Sequence, residues 1–241
     1  MPLSPTAHWS RTEREIMSEG RISLEKEEVR ALLAVTRRQF IWDARMQMRL
    51  VSTASALGIY SAPPLNVLAF FAVPAVVSSP DGTPLDLVVT ISSLVSELES
   101  ASASSRPLEL ERLSPTSVPV TSAMSVAHLP PSDGWQVPIA GVASDLTALV
   151  AEAVAEFSAR AVGHSETGQQ AIADEIWERT AWAALPMRAL HASKRLGMLG
   201  NDSSRVSAAS SGDWKRFTTQ RGSVFTRRAG VSPKARLRLI V

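Results

Sequence analysis

Residues 23–58 read SLEKEEVRALLAVTRRQFIWDARMQMRLVSTASALG, and this stretch decides the fold that the sequence predicts. Ser23 is a favourable N-cap, and three glutamates follow it where the positive end of a helix dipole favours acidic side chains. Apolar residues then recur at spacings of three, four and seven as far as Leu57, and Gly58 closes the pattern. The stretch predicts one helix about 50 Å long at 1.5 Å per residue, which suits a helical bundle.

Helices are also predicted over residues 84–100 and 144–197. The first begins with a threonine cap followed by proline, although alternating apolar residues over 85–91 leave a strand as the alternative there. The second range is predicted to hold two helices: one begins at Ser144–Asp145 and ends at Gly163, and the other opens with a capping box of Thr167 and Gln170. In the latter, Pro186 should kink or divide the helix, and Gly197 should end it.

The remaining segments complete a mainly α fold. Residues 61–77 are apolar and rich in proline, and their periodicity does not decide between a short helix and a strand. Residues 100–138 are rich in proline and serine and predict a long irregular connection. The predicted organisation is an N-terminal arm (1–22), a helical bundle core (23–200) containing this irregular middle, and an extended basic C-terminal tail (201–241).

Charge is distributed unevenly along the chain. The formal net charge is only +2, but residues 81–185 carry a net charge of −10 and residues 186–241 a net charge of +10. Because electrostatic complementarity fixes the register between partners, this separation predicts self-association, with the acidic middle of one copy against the basic end of the next.

The sequence lacks the motifs that usually indicate a metal site, a hydrolase or a nucleotide-binding protein. The chain has no cysteine, its four histidines lack metal-site spacing, and no nucleophile-elbow or nucleotide-binding motif occurs. We therefore expect a protein that is not an enzyme and needs no cofactor or metal. Its longest apolar run is far shorter than a bilayer requires, and its N-terminus lacks signal-peptide features, which predicts an intracellular protein without a membrane partner.

The basic end of the chain carries the candidate binding site. Cations neutralise phosphates, and aromatic rings stack on unpaired bases without reading sequence, so their interleaving predicts sequence-independent binding of single- or double-stranded RNA. A second row of arginines, with Trp42 between them, follows one stripe of the long predicted helix. The predicted RNA-binding residues are Arg38, Arg45, Arg49, Lys215, Arg216, Arg221, Arg227, Arg228, Lys234, Arg236 and Arg238, and the predicted base-stacking residues are Trp214, Phe217 and Phe225.

The composition carries a resemblance to two kinds of viral protein. With 33 alanines, 32 serines and 15 prolines, the chain resembles the proline-alanine-serine-rich proteins of polymycoviruses, which associate with the double-stranded RNA genome. A helical core followed by a tail also resembles the coat proteins of flexuous filamentous viruses, although Trp182-Ala183-Ala184-Leu185 departs from their Phe-Asp-Phe type motif. The resemblance implies a coat protein located in a virion or in host cytoplasm, and it assigns no role to individual residues.

These observations predict a viral nucleoprotein that self-associates, as in a filament, and coats RNA. The alternative is a helical adaptor or chaperone that binds another protein through its apolar helices. A third hypothesis, a hydrolase with a dispersed triad, requires one deep pocket that collects a histidine, a serine and a carboxylate.

Overall fold

The computed structural model describes residues 21–53, 55–78, 84–104, 108–109, 113, 115–116 and 124–228. The first half of the fold contains, in chain order, β1 (Arg21–Ser23), α1 (Lys26–Phe40), β2 (Gln47–Ser52), β3 (Ala56–Ser61), β4 (Leu68–Pro74), β5 (Val76–Ser78), β6 (Asp86–Thr90), α2 (Ile91–Ser104) and β7 (Leu108–Glu109). The second half contains β8 (Ile139–Val142), α3 (Ala143–Ala161), α4 (Glu166–Glu178), a 3-10 turn (Trp182–Ala184), α5 (Met187–Arg195), β9 (Arg205–Ser211), β10 (Trp214–Thr219) and β11 (Gly222–Arg227).

An eight-stranded antiparallel sheet joins the two halves in the order β6-β2-β3-β4-β11-β10-β9-β8. Each half contributes four neighbouring strands, and the halves meet where β4 pairs with β11 through Phe70–Ser223, Ala69–Val224 and Leu68–Phe225. A small sheet, β5-β1-β7, lies in the first half. The strand–helix–three-strand order of β1 to β4 recurs, with additional helices, in β8 to β11.

Helices cover one face of the large sheet and enclose two separate cores. In the first half, Leu32 of α1 and Leu94 of α2 pack with Met48 of β2. In the second half, Leu190 of α5 packs with Phe217 of β10. Successive residues of a strand point to opposite faces of a sheet, so other residues of the same strands point away from the helices.

The face of the large sheet opposite the helices is covered by residues 124–135, which form no helix or strand. These residues pack against Leu68 of β4 and Phe225 of β11, among others.

The predicted helix over residues 23–58 is correct only over Lys26–Phe40, because Ser23, the predicted N-cap, belongs to β1 and Glu25 is the N-cap. A turn follows, in which Asp43 Oδ1 accepts a hydrogen bond of 2.8 Å from the backbone N–H of Arg45. Such local bonds from aspartate favour turns over helix. Beyond the turn, Met46, Met48 and Leu50 are buried at a spacing of two, which is the period of a strand with one face in the core.

The two undecided segments form strands. Residues 86–90 are β6, the alternative to helix, and the helix α2 begins only at Ile91. Residues 68–74, within the apolar segment left open, are β4, and residues 76–78, at its end, are β5. β4 pairs with β3 on one side and with β11 on the other, and this pairing makes it a strand. The apolar periodicity of its own sequence does not distinguish a strand from a helix.

The two helices predicted over residues 144–197 are present. The first is α3, and the second is divided into α4 and α5, with Pro186 as the N-cap of α5. The N-cap of α4 is Ser165 rather than the predicted Thr167. Gly197 follows the end of α5 with a φ of +75°, so the predicted helix stop is confirmed.

The C-terminal part is a β-meander rather than an extended tail. Strands β9, β10 and β11 pair in sequence along their whole lengths, because Val206, Ala208, Phe217 and Val224 present one continuous apolar face to the helices. The predicted mainly α helical bundle is therefore wrong, and the fold is mixed α/β. Residues 229–241 lie outside the described part of the chain.

Candidate functional site

A cavity of about 380 Å³ lies on the helical face where the two halves of the sheet meet. We call it the junction groove. Helix α1 and strand β4 form one side, and the end of α5 and the turn between β10 and β11 form the other. It is lined by Ala31, Leu32, Ala34, Val35, Arg38, Phe71, Ala72, Val73, Leu196, Gly197, Met198, Gln220 and Arg221.

Small side chains on α1 keep the groove open. Ala31 and Ala34 are exposed there, while Leu32, one residue after Ala31, is buried in the first core. Alanine and leucine are strong helix formers, so this local sequence stabilises α1 while leaving space above its exposed face. The walls of the groove are apolar except at Arg38, Gln220 and Arg221.

The two arginines converge on the C-terminal end of α5. Arg221 Nη1 donates a 3.2 Å hydrogen bond to the carbonyl of Gly197, and Arg38 lies against the α-carbon of the same glycine. The negative end of a helix dipole favours cations at this position. Neither arginine forms an ion pair within the described residues. One end of an otherwise apolar groove is therefore positively charged.

Three other predicted RNA-binding residues, Lys215, Arg227 and Arg228, line a second cavity of about 340 Å³. We call it the basic pocket. Arg188 also lines it, and sequence reasoning missed this residue because a single arginine in the first turn of a helix carries no distinctive pattern. The full lining comprises Asn66, Met124, Glu178, Thr180, Ala184, Pro186, Arg188, Lys215, Thr226, Arg227 and Arg228.

The remaining predicted cations on the described chain are engaged elsewhere. Arg49 forms two 2.6 Å hydrogen bonds to Asp86, which raise its pKa, and a third of 3.1 Å to the carbonyl of Val126. The guanidinium of Arg216 stacks 4.4 Å from the ring centre of Trp135, and burial lowers the pKa of this arginine. Both side chains therefore hold the segment 124–135 against the sheet.

The predicted arginine stripe is not formed. Arg38 lies on α1, whereas Arg49 lies on β2 and Arg45 is exposed in the turn between them. Because the helix ends at Phe40, the helical spacing that would align the three residues does not exist. Arg45 approaches Asp43 at 3.9 Å, which makes it an exposed ion pair.

The predicted base-stacking residues belong to the cores of the sheet. Phe217 is fully buried, and Trp214 and Phe225 are 9% and 5% exposed. A ring must present its face to solvent to stack on a base, so these positions do not offer that surface. Lys234, Arg236 and Arg238 lie outside the described residues.

The described residues contain no group of three side chains suited to hold a metal ion. Within the same residues, every helix is too short or too polar to span a membrane. His191 is stacked on Trp177 with ring centres 4.2 Å apart, and burial together with Arg195 and Lys194 lowers its pKa to about 4. This ring is therefore neutral at physiological pH.

The chain is similar to bacterial sliding clamps over most of its length. A β sliding clamp of C. crescentus matches with a TM-score of 0.52 and 15% identity, over 92% of this chain and 68% of the clamp. Another Caulobacter crescentus structure, pol III beta, gives a TM-score of 0.51 and 14% identity over 90% and 68%. DNA polymerase III subunit beta from Borrelia burgdorferi gives a TM-score of 0.52 and 9% identity over 90% and 67%. The chain has a sliding-clamp fold and spans about two thirds of the length of these proteins.

One family model also matches part of the chain. Residues 130–231 match a domain of unknown function, DUF8185. The matched region contains the whole second half of the fold, from β8 to β11. No curated protein matches the chain.

The predicted coat function is wrong. The three solved structures described above, which share this fold, are sliding clamps, not coat or capsid proteins. RNA or a second copy as a partner, and a location in a virion or host cytoplasm, stay predictions.

Proposed function

We propose that this protein is a non-enzymatic scaffold with a sliding-clamp fold that holds an extended segment of a partner protein in the junction groove. The observation that carries the proposal is the groove itself, a cavity of about 380 Å³ with apolar walls and Arg38 and Arg221 at one end. Its volume falls within the range of about 300–1,000 Å³ that is usual for ligand sites.

The chemistry of the groove specifies the segment. Apolar walls gain free energy by burying an apolar anchor side chain, which supplies most of the affinity at such sites. Arginines without ion-pair partners among the described residues favour a carboxylate next to that anchor, because charge-assisted hydrogen bonds fix orientation. The expected ligand is a short peptide that contains adjacent apolar residues and at least one Asp or Glu.

Charge on the helices favours a protein partner over DNA. The similar sliding clamps include subunits of DNA polymerase III, and phosphate binding by a helical face requires net positive charge there. In this chain, residues 143–178, which span α3 and α4, carry seven acidic residues and one basic residue. This part of the helical face repels a phosphate backbone.

Selection from a random-peptide display library against the full chain tests the proposal. Enriched peptides should combine apolar with acidic residues, and a fluorescent copy should bind in an anisotropy titration. Ala34→Trp fills the groove and should weaken binding about tenfold or more, whereas Ala155→Trp on the exposed surface of α3 should not. Circular dichroism checks that both variants are folded.

Two results would overturn the proposal. One is an enriched peptide that binds the Ala34→Trp variant as tightly as the unchanged chain. The other is a library that enriches no peptide, or only basic ones.

A further inference from the structure

The basic pocket concentrates positive charge at a place separate from the junction groove. Four cationic residues and one carboxylate, Glu178, line it, and no lining residue is shared between the two cavities. It lies beside the first turn of α5, the start of β10 and the end of β11. The charges come from separate elements that the fold brings together.

Arg188 is the buried cation of the pocket. The residue is 9% exposed, and its guanidinium pairs with Glu178, whose side chain is 55% exposed. Its Nε atom has no hydrogen-bond partner among the described residues, and burial lowers the pKa of the group. A buried guanidinium needs paired charge and complete hydrogen bonding to offset its desolvation, and one half-exposed carboxylate supplies only part of this.

Lys215 lines the same pocket and is held by the neighbouring turn. Its ammonium donates to the carbonyl of Ala184, and burial and the charge of Arg228 lower its pKa. The repulsion between Lys215 and Arg228 would fall if an anion lay between them. The two cations therefore favour an anion between them.

The turn that holds Lys215 is conformationally strained. Ala183 and Ala184 have φ values of 51° and 59°, which L-residues other than asparagine and aspartate rarely adopt. Trp182 anchors the turn by packing its ring edge-on against Phe217, with the ring centres 6.3 Å apart. Strain of this kind persists where the surrounding structure requires it, and here it places the Ala184 carbonyl against the ammonium.

We propose that the basic pocket binds the phosphoryl group of a small phosphomonoester or of free phosphate. The excess of positive charge matches an anion with more than one negative charge better than a single carboxylate. Arginine and lysine both bind phosphate oxygens, arginine through its planar fork and lysine as a point charge. The cavity, at about 340 Å³, has the size of a small-molecule site.

Isothermal titration calorimetry of the full chain tests this proposal. Inorganic phosphate, phosphoserine and adenosine monophosphate are titrated in turn, with acetate as the singly charged control. Saturable binding of at least one phosphate compound, and weaker binding of acetate, is expected. Inorganic phosphate that binds as tightly as the esters identifies free phosphate as the source, and tighter binding of an ester identifies the ester.

Substitutions locate the binding. Lys215→Gln and Arg228→Gln should each weaken phosphate binding about tenfold, the size expected for one charge-assisted contact. Arg205→Gln, an exposed cation of β9 outside the pocket, is the matched control. The groove variant Ala34→Trp should leave phosphate binding unchanged, so the two proposals can fail separately. The proposal is overturned if no phosphate compound binds saturably, or if Arg205→Gln weakens binding as much as Lys215→Gln.

Discussion

Arg38 occupies the space that a side chain at residue 197 would need. A β-carbon built on Gly197 would lie 1.9 Å from Arg38 Nη1, and the glycine itself has a φ of +75°. Gly197 thus follows the end of α5 and leaves space for Arg38, which makes one end of the junction groove positive.

Gly197→Ala should therefore destabilise the protein for two reasons. Alanine is strained at positive φ, and its methyl group moves the flexible end of the Arg38 side chain, so we expect a loss of about 1–2 kcal/mol in the free energy of unfolding, measured with urea. Gly163 has a φ of +76° with no atom within 4 Å of an added β-carbon, so Gly163→Ala shows the backbone cost alone. Equal losses in the two variants would mean that moving Arg38 costs no measurable stability.

Phe217→Ala should be among the most damaging substitutions in the second core. The side chain is fully buried between the sheet and the helices, and its loss should cost about 3–5 kcal/mol in unfolding free energy. Phe40→Ala, at a position that is 37% exposed, should cost much less in the same urea titration. A Phe217→Ala chain as stable as the Phe40→Ala chain would contradict the placement of this ring in the core.

His191 should make stability fall in mild acid. Its pKa is about 4 in the folded chain against 6.5 for the unperturbed group, so the unfolded chain binds the extra proton between these values. Stability should decrease as the pH falls from 6.5 towards 4, by on the order of 1–2 kcal/mol, because the partly exposed ring is screened. His191→Phe keeps a ring against Trp177 and removes the titration, so its unfolding free energy should depend less on pH. An unchanged pH dependence would exclude His191 as the cause.

Four charged side chains tie α3 to α4. Arg160 and Arg179 each bind both Glu156 and Glu175, at distances of 2.5–2.8 Å. Hydrogen bonds from the arginines lower the pKa of both glutamates to about 2 from 4.5. Their contribution is present above pH 4.5 and disappears as the pH falls towards 2.

Glu156→Gln should accordingly loosen α4 without unfolding the sheet. We expect faster amide hydrogen exchange in α4 at neutral pH, and a smaller difference from the unchanged chain at high salt, because exposed pairs are screened. Glu152→Gln, on the same helix and outside the network, is the control. Equal exchange in the two variants would show that the network does not hold α4.

Local sequence located the helices only in part and was insufficient for the sheet. The acidic residues Glu25, Glu27 and Glu28 marked the start of α1, but the predicted cap Ser23 lies in β1 and the predicted stop Gly58 lies in β3. Pro186 and Gly197 marked both ends of α5. Between residues 41 and 57, however, apolar residues fit helical spacing by coincidence, and no glycine or proline interrupts them. Two signals opposed the helix, namely Asp43 as a turn former and the alternation of Met46, Met48 and Leu50.

The candidate site was foreseeable only in part. Its cations were predicted, and the fold places Arg38 with Arg221 and Lys215 with Arg227 and Arg228, in two cavities rather than on one surface. The aromatic residues among them were misassigned because neither strand alternates strictly: Val206 is the one strong strand former in β9, and Lys215 and Arg216 separate Trp214 from Phe217 in β10. No local pattern predicts that β11 pairs with β4, and the groove exists only because of that pairing.

The pairing of β4 with β11 also sets an order of events for the growing chain. Residues 68–70 find their partners only after residues 223–225 have been synthesised, so one edge of the first half has no partner strand for most of translation. Open strand edges promote aggregation of incomplete chains. A ribosome that stalls before the last hairpin would release a product with its own apolar core and an exposed adhesive edge.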